Sequence, residues 1–556
     1  MGKSDGTGTV ERERGWVVWV MAAVVVLAAT LPFVPALKAP FIFDDVPNVV
    51  QNPALDRANI MEFFSDPTSF SAKEGNWPYR PLLLAFNALQ HKISGLDPTG
   101  WRLWQMALHA INSVLVLLVG RKIFGLRLGA FSAALLFAAA PIQVQSVVYV
   151  SARSMVLAAT PFLLSLLCLN WMAESQKKDA IVGWAVIAVL LALMSFLSSE
   201  GALALAVVAP AALYAKGADL RQKPYMAASL AVLGAAIIYI IARTALTPVA
   251  PFEAHAQASP DYSSVQNAFI QLRAPFFLAR IFALPVHLSF FHAAPVPSSM
   301  FDPRALLPVL GLAAIGYLIY RWKNKTAFSA GLVWYLACLL PAVFVPLNVA
   351  WAEHRVYLAL PGLVIMVGML LERVFILLDN REARLGTAGR ASFALVVIFM
   401  GAFSVSRAND WLSTRELFSQ AVKVSPGHYA PWNFLAIDYF EEQECDESIH
   451  YLEMALKRNP NFADAYNTMV PCYLAKKQYR TARARAFQAV KINQENPTYW
   501  STLAVTLMYN EQWEEAELAL KKALSLAPEG HPNRPSIENN YRKLEMERTD
   551  KEDPGP

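Results

Sequence analysis

The sequence predicts an all-α protein, in which a polytopic membrane helix bundle of about eleven spans is followed by a C-terminal solenoid of helical repeats. Its 556 residues are 55% hydrophobic and only 16% charged, and their mean hydropathy is +0.34. Soluble chains carry about 25% charged residues. The charge is uneven, because 17 of the 48 basic and 21 of the 43 acidic residues lie in 411–556, where a 34-residue period also begins. The pattern indicates a membrane-embedded body with a soluble tail.

Eleven segments are long and apolar enough to cross a membrane as helices, which takes about 20 residues. They are 16–37, 101–120, 128–149, 154–172, 180–197, 201–215, 225–245, 304–320, 327–347, 356–377 and 391–407. The apolar run from Trp16 is long and no small-residue cleavage site follows it, so we expect an uncleaved anchor.

Basic residues near the span ends predict the orientation of the body. With a cytoplasmic N-terminus, five cationic loops all fall inside. They hold Arg121, Lys122 and Arg127; Lys177 and Lys178; Lys216, Arg221 and Lys223; Arg321, Lys323 and Lys325; and Arg373, Arg381, Arg384 and Arg390. The outer loops 38–100, 246–303 and 348–356 are poor in cations, and we expect the chemistry there.

Segment 266–290 is also apolar enough to cross, but a crossing would move the cluster Arg321–Lys325 outside. We therefore expect a helix at the outer face, and eleven crossings then place the tail outside. Ala-rich spans and short loops favour a multi-pass protein of a bacterial inner membrane with a periplasmic tail, over an endoplasmic reticulum membrane with a lumenal tail.

The tail repeats every 34 residues, with alanine at positions 421, 455, 489 and 523 and an aromatic residue at 432, 466 and 500. The pattern Trp432-x2-Leu435-Ala436-x2-Tyr439 is typical of the first helix of a tetratricopeptide repeat (TPR). Three repeats fit 430–531, with a capping helix near 534–547. Pro471 should kink or weaken its helix. The predicted domains are 1–410 (membrane body), 411–548 (TPR domain) and 549–556 (polar tail).

The sequence lacks the patterns that are typical of several other functional classes. The net charge is +5, but no basic stripe is interleaved with aromatic residues, so we expect no nucleic-acid partner. The sequence has no Walker A loop and no GxGxxG, HExxH or GxSxG motif. Cys168 and Cys338 lie in apolar runs, and neither a zinc site nor a disulfide framework is expected. A bridge between Cys445 and Cys472 in an oxidising compartment stays open.

Two adjacent carboxylates, Asp44 and Asp45, follow the first span at the predicted outer face. Such a pair repels itself, so one pKa is raised or both carboxylates face a cation. The pair suits a general base toward a hydroxyl, or a divalent-cation site. The alternative is a solvated turn, because Asp-x-Pro-Asn is common in loops.

A second set of polar residues lies at the predicted outer ends of spans. It comprises Arg80, His109, Asn112, Arg153, Glu200, Glu353, His354 and Arg355. Ionisable groups at membrane depth are costly and normally face an interior cavity. Cations beside carboxylates there suit a phosphate leaving group and an acceptor to be deprotonated. His109 and Asn112, one turn apart, are expected to be structural or to line the pocket.

The order and spacing of these short motifs resemble the transmembrane and tetratricopeptide repeat-containing protein O-mannosyltransferases and their bacterial relatives. The motifs are Phe43-Asp44-Asp45, Tyr79-Arg80-Pro81, His109-x2-Asn112, Ser151-Ala152-Arg153, Ser199-Glu200 and Ala352-Glu353-His354-Arg355. The resemblance covers about 40–530 and implies a GT-C glycosyltransferase, a multispanning enzyme that takes a sugar from a polyprenyl phosphate at the outer face. Relatives often carry an acidic residue at Ser154 and a lysine at Ser199.

The resemblance implies roles for individual residues. Asp44 or Asp45 would be the catalytic carboxylate, and Arg80, Arg153, Glu200, Glu353, His354 and Arg355 would bind the donor phosphate and sugar. The sugar would be mannose, and the acceptor a protein Ser or Thr hydroxyl presented by the TPR groove. The partners are therefore a lipid-linked sugar, a protein or peptide and membrane lipid. No organic cofactor is implied, and a divalent cation stays open.

Two other functions stay open from the sequence. One is a related enzyme that glycosylates a lipid or an envelope polysaccharide. The other is a non-catalytic membrane scaffold whose repeats assemble partners, which would tolerate the loss of Asp44 and Asp45. A transporter is a weaker third.

Overall fold

The computed structural model describes residues 15–72, 78–247, 262–321, 326–344, 349–529, 531 and 533–552. Within these ranges the regular secondary structure is helical, apart from one isolated bridge between His292 and Trp351. The prediction of an all-α membrane bundle followed by a TPR solenoid is confirmed.

The membrane body is built from helices α1 to α17. Their bounds are α1 Gly15–Thr30, α2 Pro53–Arg57, α3 Ile60–Ser65, α4 Pro81–Ser94, α5 Pro98–Lys122, α6 Leu128–Ala139, α7 Val144–Val148, α8 Arg153–Glu174, α9 Lys178–Phe196, α10 Leu205–Ala215, α11 Lys223–Leu246, α12 Ser264–Ala283, α13 Pro303–Arg321, α14 Thr326–Leu339, α15 Pro341–Phe344, α16 Leu360–Arg381 and α17 Ala383–Asn409.

The count of spans differs from the predicted eleven at two places. Nine helices of the described residues are long and apolar enough to cross a membrane, and a tenth arises if the pair Leu128–Ala139 and Pro141–Val148, bent by 49°, is one span. Pro141 lies at that bend, since proline cannot continue the hydrogen bonding of a helix. The remaining predicted span, 201–215, corresponds to the shorter apolar helix Glu200–Ala215, whose first turn is a 3₁₀ helix.

Segment 266–290 lies mostly in α12, which is not among the spanning helices. A capping box at Ser263 begins the helix. Asn267 and Gln271 donate from its buried face to backbone carbonyls of Ala342 and Ala350. These polar contacts attach α12 to the segment that precedes Glu353, as expected for a helix at the outer face.

Glycines allow two close helix approaches inside the bundle. A Cβ at Gly331 of α14 would lie 2.8 Å from the carbonyl oxygen of Gly362 of α16, and Gly129 of α6 meets Gly368 of α16 in the same way. Small residues permit such backbone contact between membrane helices. The central helix α16 is therefore held from two sides.

The end of the bundle predicted to be cytoplasmic is tied by contacts between loops. Glu372 accepts hydrogen bonds from the backbone N–H groups of Arg127 and Gly129, at 2.9 Å each. Lys216 donates to the carbonyl of Lys122 and to Glu174, at 2.8 Å each. Loops predicted to share one face therefore meet at one end of the bundle.

The described tail forms a first helix, three helical hairpins and a final helix. The bounds are α18 Thr414–Val424, α19 Tyr429–Glu441, α20 Cys445–Leu456, α21 Ala463–Ala475, α22 Tyr479–Ile492, α23 Pro497–Tyr509, α24 Trp513–Leu526 and α25 Arg534–Glu552. Ala482 and Ala516 are fully buried where the helices meet. Helix α21 continues through Pro471, and Cys445 is joined to Cys472, with a Cα–Cα distance of 5.2 Å.

The start of the tail is docked on the membrane body. Trp411, Phe418 and Leu435 share one hydrophobic cluster with residues of the body, which include Phe33 and Phe290. Ser425, just after α18, also accepts a 3.0 Å hydrogen bond from the backbone N–H of Ala293. The tail therefore lies at the same end of the bundle as Asp44.

Candidate active site

The short segment from Tyr149 to Ser154, which runs from the end of α7 into the first turn of α8, joins several residues of the predicted site. The Tyr149 hydroxyl accepts from the backbone N–H of Asp44 at 3.3 Å, and the Tyr149 ring lies 6.3 Å from the His354 ring. Ser151 contacts Asp45, and Ser154 accepts from Arg80 at 3.5 Å. Residues far apart in the sequence therefore meet within about two turns of chain.

Asp45 is completely buried and holds its loop in place. Its Oδ1 accepts from the backbone N–H of Ser151 at 2.7 Å and from the Ser151 hydroxyl at 2.6 Å, and its Oδ2 accepts from the N–H of Ile42 at 3.4 Å. Burial raises the pKa of this carboxyl to about 6, although the hydrogen bonds and the positive charge of Arg102 oppose the shift. Asp45 is therefore an anchor of the loop.

Asp44 differs from its neighbour, because its side chain is partly exposed. It follows Phe43, which adopts the left-handed backbone conformation with φ +50°. A non-glycine residue there is uncommon and marks a constrained position. Of the two predicted catalytic carboxylates, Asp44 is the one that a substrate can reach.

Glu200 lies between two arginines. Arg80 donates from Nε to its Oε2 at 2.7 Å, and Arg243 lies 3.6 Å from its Oε1. The three side chains are only 17–23% exposed. Because two guanidinium groups face one carboxylate, the cluster carries an excess positive charge and suits an anion.

Of the predicted run Glu353–Arg355, His354 and Arg355 lie near this cluster. Burial, followed by the charges of Arg355 and Arg80, lowers the pKa of His354 to about 3, so its ring is neutral near pH 7. The Arg355 guanidinium is held by the carbonyls of Val349 and Ala350 and stays protonated, although burial lowers its pKa to about 10.

Glu353 is fully buried away from the arginines. Its Oε1 accepts from the backbone N–H of Ser289 at 2.6 Å and lies 2.8 Å from Nε2 of His292. Its contacts tie the loop after α12 to the segment before α16. The predicted role of Glu353 in donor binding has no support from these contacts.

Arg153 is also completely buried, and its donors are used by neutral groups. They donate to the side-chain oxygens of Gln105 and Asn87 at 3.0 Å each and to the carbonyl of Trp101 at 2.7 Å. The guanidinium also lies 4.7 Å from the Trp101 ring. Arg153 therefore links neighbouring helices, and these contacts do not place it in a donor pocket.

His109 and Asn112 form a buried network with Tyr357. The Tyr357 hydroxyl lies 2.9 Å from Nδ1 of His109 and accepts from Asn112 at 3.1 Å. Asn112 also donates to the carbonyl of Val156 and accepts from Thr160, at 2.8 Å each. The contacts join α5 and α8 to the turn just before α16, which is consistent with a structural role.

In the described part of the chain, no group of three or more His, Cys, Asp or Glu side chains could hold a metal ion. The divalent cation stays a prediction, and we derive no step through it.

Sequence reasoning missed four residues of this region. Arg243 belongs to the cation cluster, Arg102 provides positive charge that acts on Asp45, and His292 pairs with Glu353. Tyr149 lies between Asp44 and His354. Arg243 could have been found from the sequence. It is a cation at the predicted outer end of a span, where the positive-inside rule leads us to expect few cations.

Fold and site together define a polytopic helical membrane protein with two arginines on one carboxylate and with TPR hairpins docked at the same end as Asp44. Residues 439–506 match the tetratricopeptide repeat family.

The curated relatives of this chain are protein O-mannosyl-transferases, which confirms the predicted resemblance. "Protein O-mannosyl-transferase TMTC3" of Mus musculus is 23% identical in an alignment 543 residues long, which covers 88% of this chain and 58% of that protein. "Protein O-mannosyl-transferase F38B6.6" of Caenorhabditis elegans is 23% identical over 72% of this chain and 57% of its own length. The chain thus spans less than two thirds of these relatives.

Two solved membrane proteins are also similar to the chain. ArnT from Cupriavidus metallidurans, bound to undecaprenyl phosphate, has a TM-score of 0.42 and 14% identity, and the match covers 75% of this chain and 80% of that one. The oligosaccharyltransferase of Archaeoglobus fulgidus, tethered to an acceptor peptide, has a TM-score of 0.37 and 16% identity, over 78% of this chain and 58% of that one.

Proposed function

We propose that this protein is a membrane glycosyltransferase that moves a sugar from a polyprenyl-phosphate donor to a Ser or Thr hydroxyl of a protein. The observation that carries the proposal is the meeting of Asp44, the Arg80–Glu200–Arg243 cluster and His354 around the segment from Tyr149 to Ser154. The names of the curated relatives support mannose as the sugar.

Asp44 acts as the general base. Its carboxylate takes the proton of the acceptor hydroxyl while the hydroxyl oxygen attacks the anomeric carbon, and the bond from that carbon to the lipid phosphate breaks. The phosphate leaves with the electron pair of this bond. A single displacement of this kind inverts the anomeric centre.

Arginines stabilise the leaving phosphate. Arg80 and Arg243 share one carboxylate and thus keep positive charge for a ligand, and Arg355 is close enough to Arg80 for the two charges to interact. Guanidinium groups match phosphate oxygens in geometry and stay charged. Preorganised charge of this kind favours the transition state over the bound donor.

The site faces the extracytoplasmic side, which is the periplasm if the membrane is a bacterial inner membrane. The five cationic loops that the sequence predicts to be cytoplasmic support this orientation. The bridge between Cys445 and Cys472 in the tail supports it independently, because disulfides persist in oxidising compartments. The TPR groove formed by α19, α21 and α23 then holds the protein acceptor beside Asp44.

The direct test supplies the purified full-length protein with a polyprenyl-phosphate mannose labelled in the sugar and a Ser- and Thr-containing peptide. We expect the label on a peptide hydroxyl, identified by mass spectrometry. Label found only on lipid or on envelope polysaccharide would instead favour the related enzyme. No transfer to any acceptor, from any lipid-linked sugar, would favour the scaffold.

Arg243 provides a sharper test of the phosphate pocket. Arg243→Gln should lower kcat/KM for the lipid donor about tenfold or more, since one charged donor to the leaving phosphate is lost. Arg57→Gln is the matched control, because the side chain of this arginine is 52% exposed and forms an ion pair with Glu62, away from the Arg80–Glu200–Arg243 cluster. Equal activity of the two variants would remove Arg243 from the pocket.

A further inference from the structure

An aromatic cluster joins the loop of Asp44 to the first TPR hairpin. The aromatic cluster consists of Phe43, Tyr149, Phe290, Trp411, Phe418 and Phe434. Phe43 contacts Phe434 of α19 edge to face, with ring centroids 5.1 Å apart, and Phe290 at 5.5 Å. Phe434 also lies 5.6 Å from Phe418 of α18. The tail therefore reaches a side chain adjacent to Asp44.

Phe43 has a backbone conformation that depends on its surroundings. At φ +50° the Cβ is crowded against the backbone, and such residues persist only where neighbouring contacts hold them. The described ring contacts of Phe43 are with Phe290 and Phe434, and the side chain is still 37% exposed. Losing either ring would therefore weaken the hold on this residue considerably.

Asp44 lies between two fixed residues. On one side, buried Asp45 is bound to Ser151 and Ile42 of the membrane body. On the other side, Phe43 is held partly by Phe434 of the tail. The direction of the Asp44 carboxylate thus depends on both the membrane body and the first repeat.

We infer that Phe434 is a positioning residue for the catalytic loop, acting on Asp44 through the ring of Phe43. The inference rests on the proposed role of Asp44 as base. It makes the first TPR hairpin part of the catalytic framework and not only a tether for the acceptor. The hydrogen bond to Ser425, just before this hairpin, and the shared hydrophobic cluster dock the hairpin on the body and so position Phe434.

The kinetic test uses the full chain and a short acceptor peptide in excess. Phe434→Ala should lower kcat about tenfold or more while KM for the peptide and the donor stays within about twofold, because small misplacements of a catalytic group are costly. Phe434→Tyr should restore kcat. Phe487→Ala is the matched control, since this phenylalanine of α22 is 56% exposed and distant from Asp44 in the repeat array. Phe43→Ala with Phe434→Ala should be no slower than Phe43→Ala alone.

A second measurement separates this inference from the proposed function. Hydrogen exchange of the amides of residues 42–46 should speed up about tenfold in Phe434→Ala and stay unchanged in Phe487→Ala. A wild-type protein without transferase activity, but with this exchange pattern, would overturn only the proposed function. Unchanged exchange in Phe434→Ala, or an effect confined to KM for the peptide, would overturn the positioning role.

Discussion

Two polar regions of the membrane body contain similar residues but differ in their roles. In the mid-bundle network, neutral partners surround His109, Asn112 and Tyr357, and the side chains are completely buried. In the outer cluster, Arg80 and Arg243 share the single carboxylate of Glu200 and stay partly exposed. Polar groups whose hydrogen bonds are all made within the protein stabilise helix contacts. Accessible charge in excess is instead available to bind a ligand.

Two arginines show the same contrast within one region. Arg153 donates to three neutral acceptors and is inaccessible, whereas Arg80 pairs with a carboxylate near solvent. Substitutions in the satisfied group should therefore cost stability, and those in the reachable group should cost activity.

The largest expected effect follows the loss of Asp44. Asp44→Asn should lower transfer 10²- to 10⁴-fold, as loss of a general base usually does. Expression and the melting temperature should change little, because the side chain is partly exposed. Asp56→Asn, at a carboxylate 74% exposed in the same outer region, should keep full activity in the same labelled-sugar assay. Full activity of Asp44→Asn would mean that another residue is the general base.

A smaller effect, on stability and not on chemistry, is expected from the network. Asn112→Leu leaves the Thr160 hydroxyl and the Tyr357 hydroxyl without this partner and should lower the free energy of unfolding by about 3 kcal/mol or more. Activity per folded molecule should stay within about twofold. A thermal melt paired with the transfer assay on the folded fraction checks both. Lost activity in a stable variant would assign Asn112 to the site.

Sequence alone predicted the parts that depend on periodicity. The 34-residue spacing of Ala421, Ala455 and Ala489 predicted the hairpins, and basic loops predicted which span ends meet. It did not separate Asp44 from Asp45, because adjacent residues differ only in which distant group they meet, and Ser151 is 106 residues away. Likewise, the role of Arg153 in linking helices depends on Gln105 and Asn87, which lie on other helices.

The contact between Phe43 and Phe434 could not be predicted either. Each ring lies in an unremarkable apolar position, and the two are brought together only when the tail docks on the body. The one local signal, the positive φ of Phe43, is a property of the folded backbone and is invisible in the residue type.

The smallest expected effect concerns Asp45 and is seen in how stability depends on pH. The folded protein holds this carboxyl proton up to a pKa of about 6, whereas the reference value is 3.8. The stability that the neutral form gives is fully present below pH 3.8 and is lost as the pH rises through 6. At about 1.4 kcal/mol per unit, ionised Asp45 costs the fold at most roughly 3 kcal/mol above pH 6.

Asp45→Asn cannot titrate, so its melting temperature relative to that of the wild type should rise between pH 4 and 6 and then stay level. Asp56→Asn, largely exposed, should give a difference that does not change over this range. A flat difference for Asp45→Asn would mean that Arg102 and Ser151 fully offset the cost of burial. The ionised carboxylate still accepts both Ser151 hydrogen bonds more strongly than an amide would, and it thus holds the loop that carries Asp44.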